Sequence, residues 1–287
     1  MLAIYKKELR AFFTNMTGWI FIAFILAATG IFASATNFAG RYPSFEISLG
    51  SVSFIFLFVV PILTMRSLAE EKRQKTDQLL YSLPIPVSNV VIGKYLAMLT
   101  IFAIPCGVMC VYPLILKMYG SASVLTAYSS IFGFMLLGAA LISVGLFISS
   151  LTESQIIAAV LSFGAMLVIY LINGLASMVP STAAASYIAF AIVIIAFAFI
   201  VYLMIKDYWM SFTIAAVGEI ILSVFFFKNK SIFEGAFASM ISWFSFYDRL
   251  NNFIYGMFDL TSVVFYLTII AVFLFFSIQS VEKHRWS

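Results

Sequence analysis

This chain has little charge and one histidine. Charged residues make up 10% of its 287 residues and hydrophobic ones 63%, with a mean hydropathy of +1.09. That is too few polar side chains to cover a water-facing core, so a bilayer is the solvent that fits. The lone histidine, His284, excludes a histidine metal cluster and a Ser/His/Asp triad. No two carboxylates share an apolar run, which removes paired-acid catalysis as well. Cys106 and Cys110 lie in one apolar segment at i, i+4 spacing. A single helical turn cannot hold both halves of an unstrained disulfide, so they read as small apolar packers. The net charge is +4, but the cations sit beside apolar runs and form no continuous basic face. Nucleic acid is therefore not an expected partner.

What the chain has in quantity is long charge-free sequence. Runs of about 18 or more apolar residues are candidate spanning helices, and they fall at 18–35, 47–65, 95–116, 127–149, 155–175, 185–205, 208–227 and 260–281. The fold class is thus an all-α polytopic membrane protein with about eight spans. Six is the alternative, with 185–205 and 208–227 as a re-entrant or tilted hairpin. With the N-terminus inside, the inner segments carry Lys6, Lys7, Arg10, Arg66, Lys72, Arg73, Lys75, Lys94, Lys206, Lys283 and Arg285. The outer segments carry Arg41, Lys117, Lys228, Lys230 and Arg249. This bias places both termini in the cytoplasm.

The first residues resemble a secretory leader, with basic residues ahead of an apolar run that ends in Ala33-Ser34-Ala35. However, Leu2, Tyr5, Leu9, Phe12, Phe13 and Met16 recur at i+3/i+4 with Lys6, Lys7 and Arg10 between them. That pattern predicts an amphipathic helix over 1–16 lying on the inner membrane face. The whole chain reads as one membrane domain, 1–287, with a cytoplasmic loop at 66–94 and an outer loop at 228–259.

The 66–94 loop is a polar island between apolar runs. Arg66 or Ser67 opens a helical stretch in which Leu68, Leu79, Leu80 and Leu83 form an apolar strip, and Pro84 and Pro86 end it. Ser88 is placed to cap the next helix from Asn89. A short helix clamped between two spans can transmit a push from a soluble partner; a plain solvated loop is the other reading.

The run AEEKRQKTDQLLYSLPIPVSNVVIGKYLA resembles the first cytoplasmic loop of type-2 ABC exporter permeases. Glu70, Glu71, Lys72, Arg73, Thr76, Leu79, Leu80, Pro84 and Gly93-Lys94 match its pattern. Lys75 stands where the family usually has glycine, and Gln78 where it often has glutamate. SSLTESQIIAA, 149–159, resembles the second short cytoplasmic connection, with Thr152 and Gln155 spaced as a T-x-x-Q capping box. The 246–286 stretch, with Gly256, Asp259, Tyr266, Glu282, Arg285 and Trp286, resembles the C-terminal end of the branch typified by gliding-motility and nitrous-oxide-reductase-associated permeases.

The resemblance implies the permease subunit of an ATP-driven exporter in a bacterial cytoplasmic (inner) membrane. It implies two separate ABC ATPase subunits, a second permease chain, identical or homologous, and surrounding membrane lipids. No cofactor is expected on this chain, with ATP and Mg on the ATPase. Glu70, Glu71, Lys72, Arg73, Thr76, Leu79, Leu80 and Pro84, with Thr152 and Glu153, are the expected ATPase-coupling residues. The alternatives are a non-transporting scaffold or signalling subunit coupled to an ATPase, and an intramembrane lipid-modifying enzyme.

Gly93-Lys94 is not a phosphate loop, since Ser88 stands where the first glycine is needed and Tyr95 supplies no magnesium hydroxyl. Lys94 is instead expected to snorkel to inner headgroups. Glu219 lies midway through an apolar run, where a charge costs about 2.5–3.5 kcal/mol. It reads either as a substrate or proton contact or as a neutral, hydrogen-bonded packer. Gly133, Gly138 and Gly145 should let helices approach closely. Phe233, Phe237, Met240 and Trp243 keep helical spacing in the outer loop, as a gate over the outer mouth or a simple interfacial anchor.

Overall fold

The computed structural model describes residues 1–75, 86–119, 123–178, 180–205 and 208–286. All regular structure among them is helical. The N-terminal amphipathic pattern forms α1 (Leu2–Thr14), and Asn15, in an extended conformation, turns the chain into α2 (Met16–Ala33). Gly18 makes that turn feasible: a β-carbon there would lie 2.7 Å from the Phe12 carbonyl oxygen. Next come α3 (Phe45–Val52), α4 (Phe56–Thr64) and the short α5 (Ala69–Gln74). They are followed by α6 (Val87–Met109), α7 (Val111–Tyr119), α8 (Val124–Leu151) and α9 (Gln155–Met178). The last elements are α10 (Ala183–Ile205), α11 (Tyr208–Lys228), α12 (Ala236–Trp243), α13 (Phe246–Ile254) and α14 (Leu260–Trp286).

Six helical stretches among the described residues are long and apolar enough to cross a membrane: Met16–Ala39, Phe45–Gln74, Val87–Met118, Val124–Leu151, Gln155–Ile172 and Leu260–Lys283. The protein is an all-α polytopic membrane protein. The expected spans at 185–205 and 208–227 form α10 and α11, of which Ala183–Ala198 is a shorter apolar stretch. These two helices run antiparallel, because contacts pair rising numbers on one with falling numbers on the other: Tyr187 with Ser223, Ile194 with Gly218, Tyr202 with Tyr208.

The chain divides into two compact units, Met1–Tyr170 with Phe246–Ser287, and Leu171–Ser245. In the first, α8 is the central helix and is buried along most of its length. Its glycines let neighbours reach its backbone at three levels. A β-carbon at Gly133 would meet Phe253 at 2.7 Å, at Gly138 Phe102 at 2.3 Å, and at Gly145 Thr64 at 2.5 Å. Lipid tails are as apolar as the helices, so such close packing is what favours helix–helix contact over lipid contact. Phe56, Phe102 and Phe134 close around the middle level with ring centroids 4.6–6.0 Å apart. Cys106 is buried and both cysteines are free, as packers should be.

α14 runs parallel to α8. Contacts climb both helices together, from Phe132–Phe258 through Phe147–Phe273 to the Ser280 hydroxyl, which donates to the Ser150 carbonyl at 3.2 Å. The ends of α8 and α14 therefore lie on one side of this unit. The start of α14 is set by two residues that the sequence resemblance singled out. Gly256 adopts φ +80, a left-handed turn after α13. Asp259 then caps α14, accepting from the Thr261 amide at 2.9 Å, the Ser262 hydroxyl at 2.8 Å and the Asn252 amide at 3.2 Å.

Two outcomes follow from this packing. Gly138→Ala should lower the thermal stability of the detergent-solubilised protein by roughly 1–3 kcal/mol through overpacking against Phe102. Gly164→Ala, where nothing lies within 4 Å, should be neutral or stabilising. The second outcome concerns pH. The hydroxyl of Ser262, then the Thr261 and Asn252 donors, hold the Asp259 carboxyl down from 3.8 to about 2. A depressed carboxylate stabilises the fold fully above its unfolded value and loses that effect as pH falls through the folded one. The stability gap between wild type and Asp259→Ala, about 1 kcal/mol at neutral pH, should thus close between pH 3.8 and 2 in thermal unfolding.

Candidate coupling site

The polar island is anchored to the first unit by helix-end chemistry. The first amides of a helix lack intrahelical partners, and at α5 the missing acceptor comes from α8. The Ser149 hydroxyl accepts from the backbone N–H groups of Leu68 and Ala69, each at 3.2 Å, and donates to the Met65 carbonyl at 3.4 Å. Lys72 donates to the Ser150 carbonyl, the same oxygen that receives Ser280 of α14. Leu68 is buried in the core below.

A buried ion cluster joins α5 to α1 and α6. Lys94 is 2% exposed. Its ammonium donates at 2.9 Å to Glu8 of α1 and to the Ser67 carbonyl, and pairs at 2.9 Å with Glu71 of α5. An ammonium has three donors, and all three are engaged. Lys7 stands 3.7 Å from the same Glu71 oxygen, so two cations and two acids balance. Gly93 lets α1 sit close enough: a β-carbon there would press on Ile4 at 3.3 Å. Tyr5 and Thr100 share a further hydrogen bond of 3.0 Å across the same contact. Beside the cluster, Arg66 grips Glu70 through two nitrogens at 2.9 and 3.2 Å.

Several expectations are corrected by this geometry. Lys94 does not reach the headgroups; its charge is satisfied inside the protein. Glu70, Glu71 and Lys72, three of the expected ATPase-coupling residues, hold intramolecular bonds. Thr152 and Gln155 form no capping box, since α9 begins at Gln155 and Thr152 is the extended residue ending α8. Its hydroxyl donates instead to the Ser154 carbonyl at 3.3 Å. Ser88 does not cap α6, which starts at Val87 with Pro86 before it.

The described residues that α5 presents outward are Arg73, Gln74 and Lys75, all exposed, and Glu153 is exposed in the neighbouring connection. Thr76, Leu79, Leu80 and Pro84 lie outside the described residues. Lys75 ends α5 in a left-handed conformation, φ 55 and ψ 21. Glycine adopts that geometry without strain and lysine does not. A glycine at this position in the resembling permeases has a direct physical reason.

In the second unit, Phe233 and Phe237 pack edge-on against Phe190, with centroids 6.2 and 5.2 Å away. The helical spacing of Phe233, Phe237, Met240 and Trp243 is interrupted at Gly235, φ +70, between a tight turn at Lys230–Phe233 and α12. Met240 is 38% exposed and Trp243 72%. Glu219 Oε1 has no hydrogen-bond partner among the described residues. A second feature of this unit is an apolar cavity of about 450 Å³, lined by Phe190, Ile194, Gly218, Leu222, Phe225 and Phe233 among others.

Sequence reasoning missed Glu8, Ser149 and Ser150. Glu8 had a signal, being the one acid in a basic amphipathic helix. The serines had none, because their role depends on a backbone 80 residues away.

Lys94→Met should cost about 3–5 kcal/mol, since it removes the buried cation that the half-buried Glu8 and Glu71 share and leaves Glu71 only the longer contact to Lys7. Adding Glu8→Gln and Glu71→Gln should recover most of that loss. Thermal unfolding and protease release of α1 in detergent read both outcomes.

A family model for the ABC-2 family transporter protein matches residues 2–189. No curated protein matches the chain. The match takes in α1, α5 and α6, the elements that the Lys94 cluster ties together, and more than half of the sequence; the chain belongs to the ABC-2 transporter family, the membrane permease component of ABC transporters.

Proposed function

We propose that this chain is the permease subunit of an ATP-driven exporter in a bacterial cytoplasmic membrane, with both termini cytoplasmic. Two ABC ATPase subunits and a second permease chain, identical or homologous, complete the transporter. ATP and Mg reside on the ATPases. Lys94 has no role in phosphate binding, because Glu8, Glu71 and Ser67 take all its donors.

The observation that carries this reading is the anchoring of α5 to three other helices. A ligand-driven partner does work on a protein only through contacts that differ between two states. The ATPase docks on Arg73 and Lys75, on Thr76, Leu79, Leu80 and Pro84, and on Thr152 and Glu153. Its movement on ATP binding passes through Ser149, Ser150 and Lys94 into α8, α6 and α1. Glu70, Glu71 and Lys72 hold the lever to the body. The translocation path is assigned to Glu219 with Phe233, Phe237, Met240 and Trp243, a choice supported by the apolar cavity beside Phe233 and by Glu219 Oε1, which has no hydrogen-bond partner among the described residues.

Interfaces depend on a few anchors, with rim charges worth less individually. Leu79→Asp and Arg73→Glu together should strip the ATPase from tagged permease in detergent, while the variant still inserts in the membrane. Retention at wild-type level would remove the mechanical basis of this reading. Substrate-stimulated ATP turnover in liposomes then separates an exporter from a scaffold.

A further inference from the structure

α1 has two faces with different work. Ile4, Tyr5 and Glu8 turn inward to Gly93, Thr100 and Lys94. The opposite face carries Lys6, Lys7 and Arg10, all exposed. Together with Ala3, Leu9 and Phe13 they line an open groove of about 560 Å³. Among the described residues no ion pair involves Lys6 or Arg10, and Lys7 has only the longer contact to Glu71, which Lys94 already holds more closely.

An apolar border runs beside these cations. Trp19 packs edge-on against Phe13 at 5.4 Å and its indole N–H donates to the Phe13 carbonyl at 3.1 Å. Leu2, Met16 and Trp19 are 67%, 78% and 57% exposed. Only Asn15 separates α1 from the spanning helix α2. The cations therefore sit at the edge of the hydrocarbon region, where a tryptophan ring prefers to lie.

We propose that this groove binds the phosphate headgroup of an anionic membrane phospholipid, between Lys6, Lys7 and Arg10, and that the headgroup competes with Glu71 for Lys7. The proposal rests on α1 lying at the membrane face. Guanidinium matches phosphate through paired N–H donors, and the apolar border suits the glycerol and upper acyl region. An acidic protein surface would satisfy the cations but not the exposed Trp19, Met16 and Leu2. Because Lys7 touches both the groove and the Lys94 cluster, the charge of the bilayer acts on α5 through one side chain.

The test is titration of the purified full chain in neutral detergent with phosphatidylglycerol, read by native mass spectrometry and thermal shift. Juxtamembrane cations contribute roughly fivefold each in binding to anionic lipid, so Lys6→Gln/Arg10→Gln should weaken binding roughly 25-fold. Lys7→Gln should weaken it less and Glu71→Gln should tighten it by releasing Lys7. Lys228→Gln/Lys230→Gln, remote in sequence, should leave it unchanged. Wild-type affinity in Lys6→Gln/Arg10→Gln, or equal binding of phosphatidylcholine or inorganic phosphate, overturns the site. Unchanged affinity in Lys7→Gln, which leaves the Lys94 pairs intact, overturns the competition. The assay contains no ATPase, so its failure leaves the exporter reading to be judged by co-purification.

Discussion

The buried ammonium of Lys94 is the constraint on which the polar face depends. A charge at 2% exposure is tolerable only when its donors are matched and an opposite charge is near. Here the three acceptors, Glu8, Ser67 and Glu71, come from two places far apart in the chain. None can move away alone without leaving an unmatched polar group in a dry site. α1, the 65–71 segment and the base of α6 consequently form one mechanical piece.

That piece is set in place by packing deeper in the first unit. Glycines on α8 admit Phe253, Phe102 and Thr64 at successive levels, which aligns α4, α6 and α13 against one central helix. The parallel course of α14 then brings its far end to Ser150, beside the α5 cap. A serine hydroxyl and a carbonyl at the end of α8 thus collect the island, the last helix and, through Lys72, a second cation. Among the described residues, the chemistry of this site is attachment of one helix to another.

Glu70 and Glu71 illustrate how one pattern serves two ends. As an acidic pair at the start of α5 they suit the helix N-terminus electrostatically. Each also meets a cation, Arg66 or Lys94. The remainder, Arg73 to Lys75, is exposed, and the left-handed Lys75 ends the helix at that point.

The sequence by itself determined the solvent, the helical class and most of the spans, since charge-free length and hydropathy are local properties that a bilayer reads directly. It also marked the amphipathic face of α1, the island, and the glycines and Asp259 that set helix contacts. What only the tertiary structure decided was the fate of individual polar groups. Lys94 next to a span reads as a snorkelling lysine until Glu8 and Glu71 are brought to it from 86 and 23 residues away. Thr152 and Ser88 read as caps, but α9 starts at Gln155 and α6 at Val87. Ser149 caps a helix to which it does not belong. A hydrogen bond or ion pair is satisfied by whichever partner the fold presents, and the partner's distance along the chain leaves no trace in local pattern.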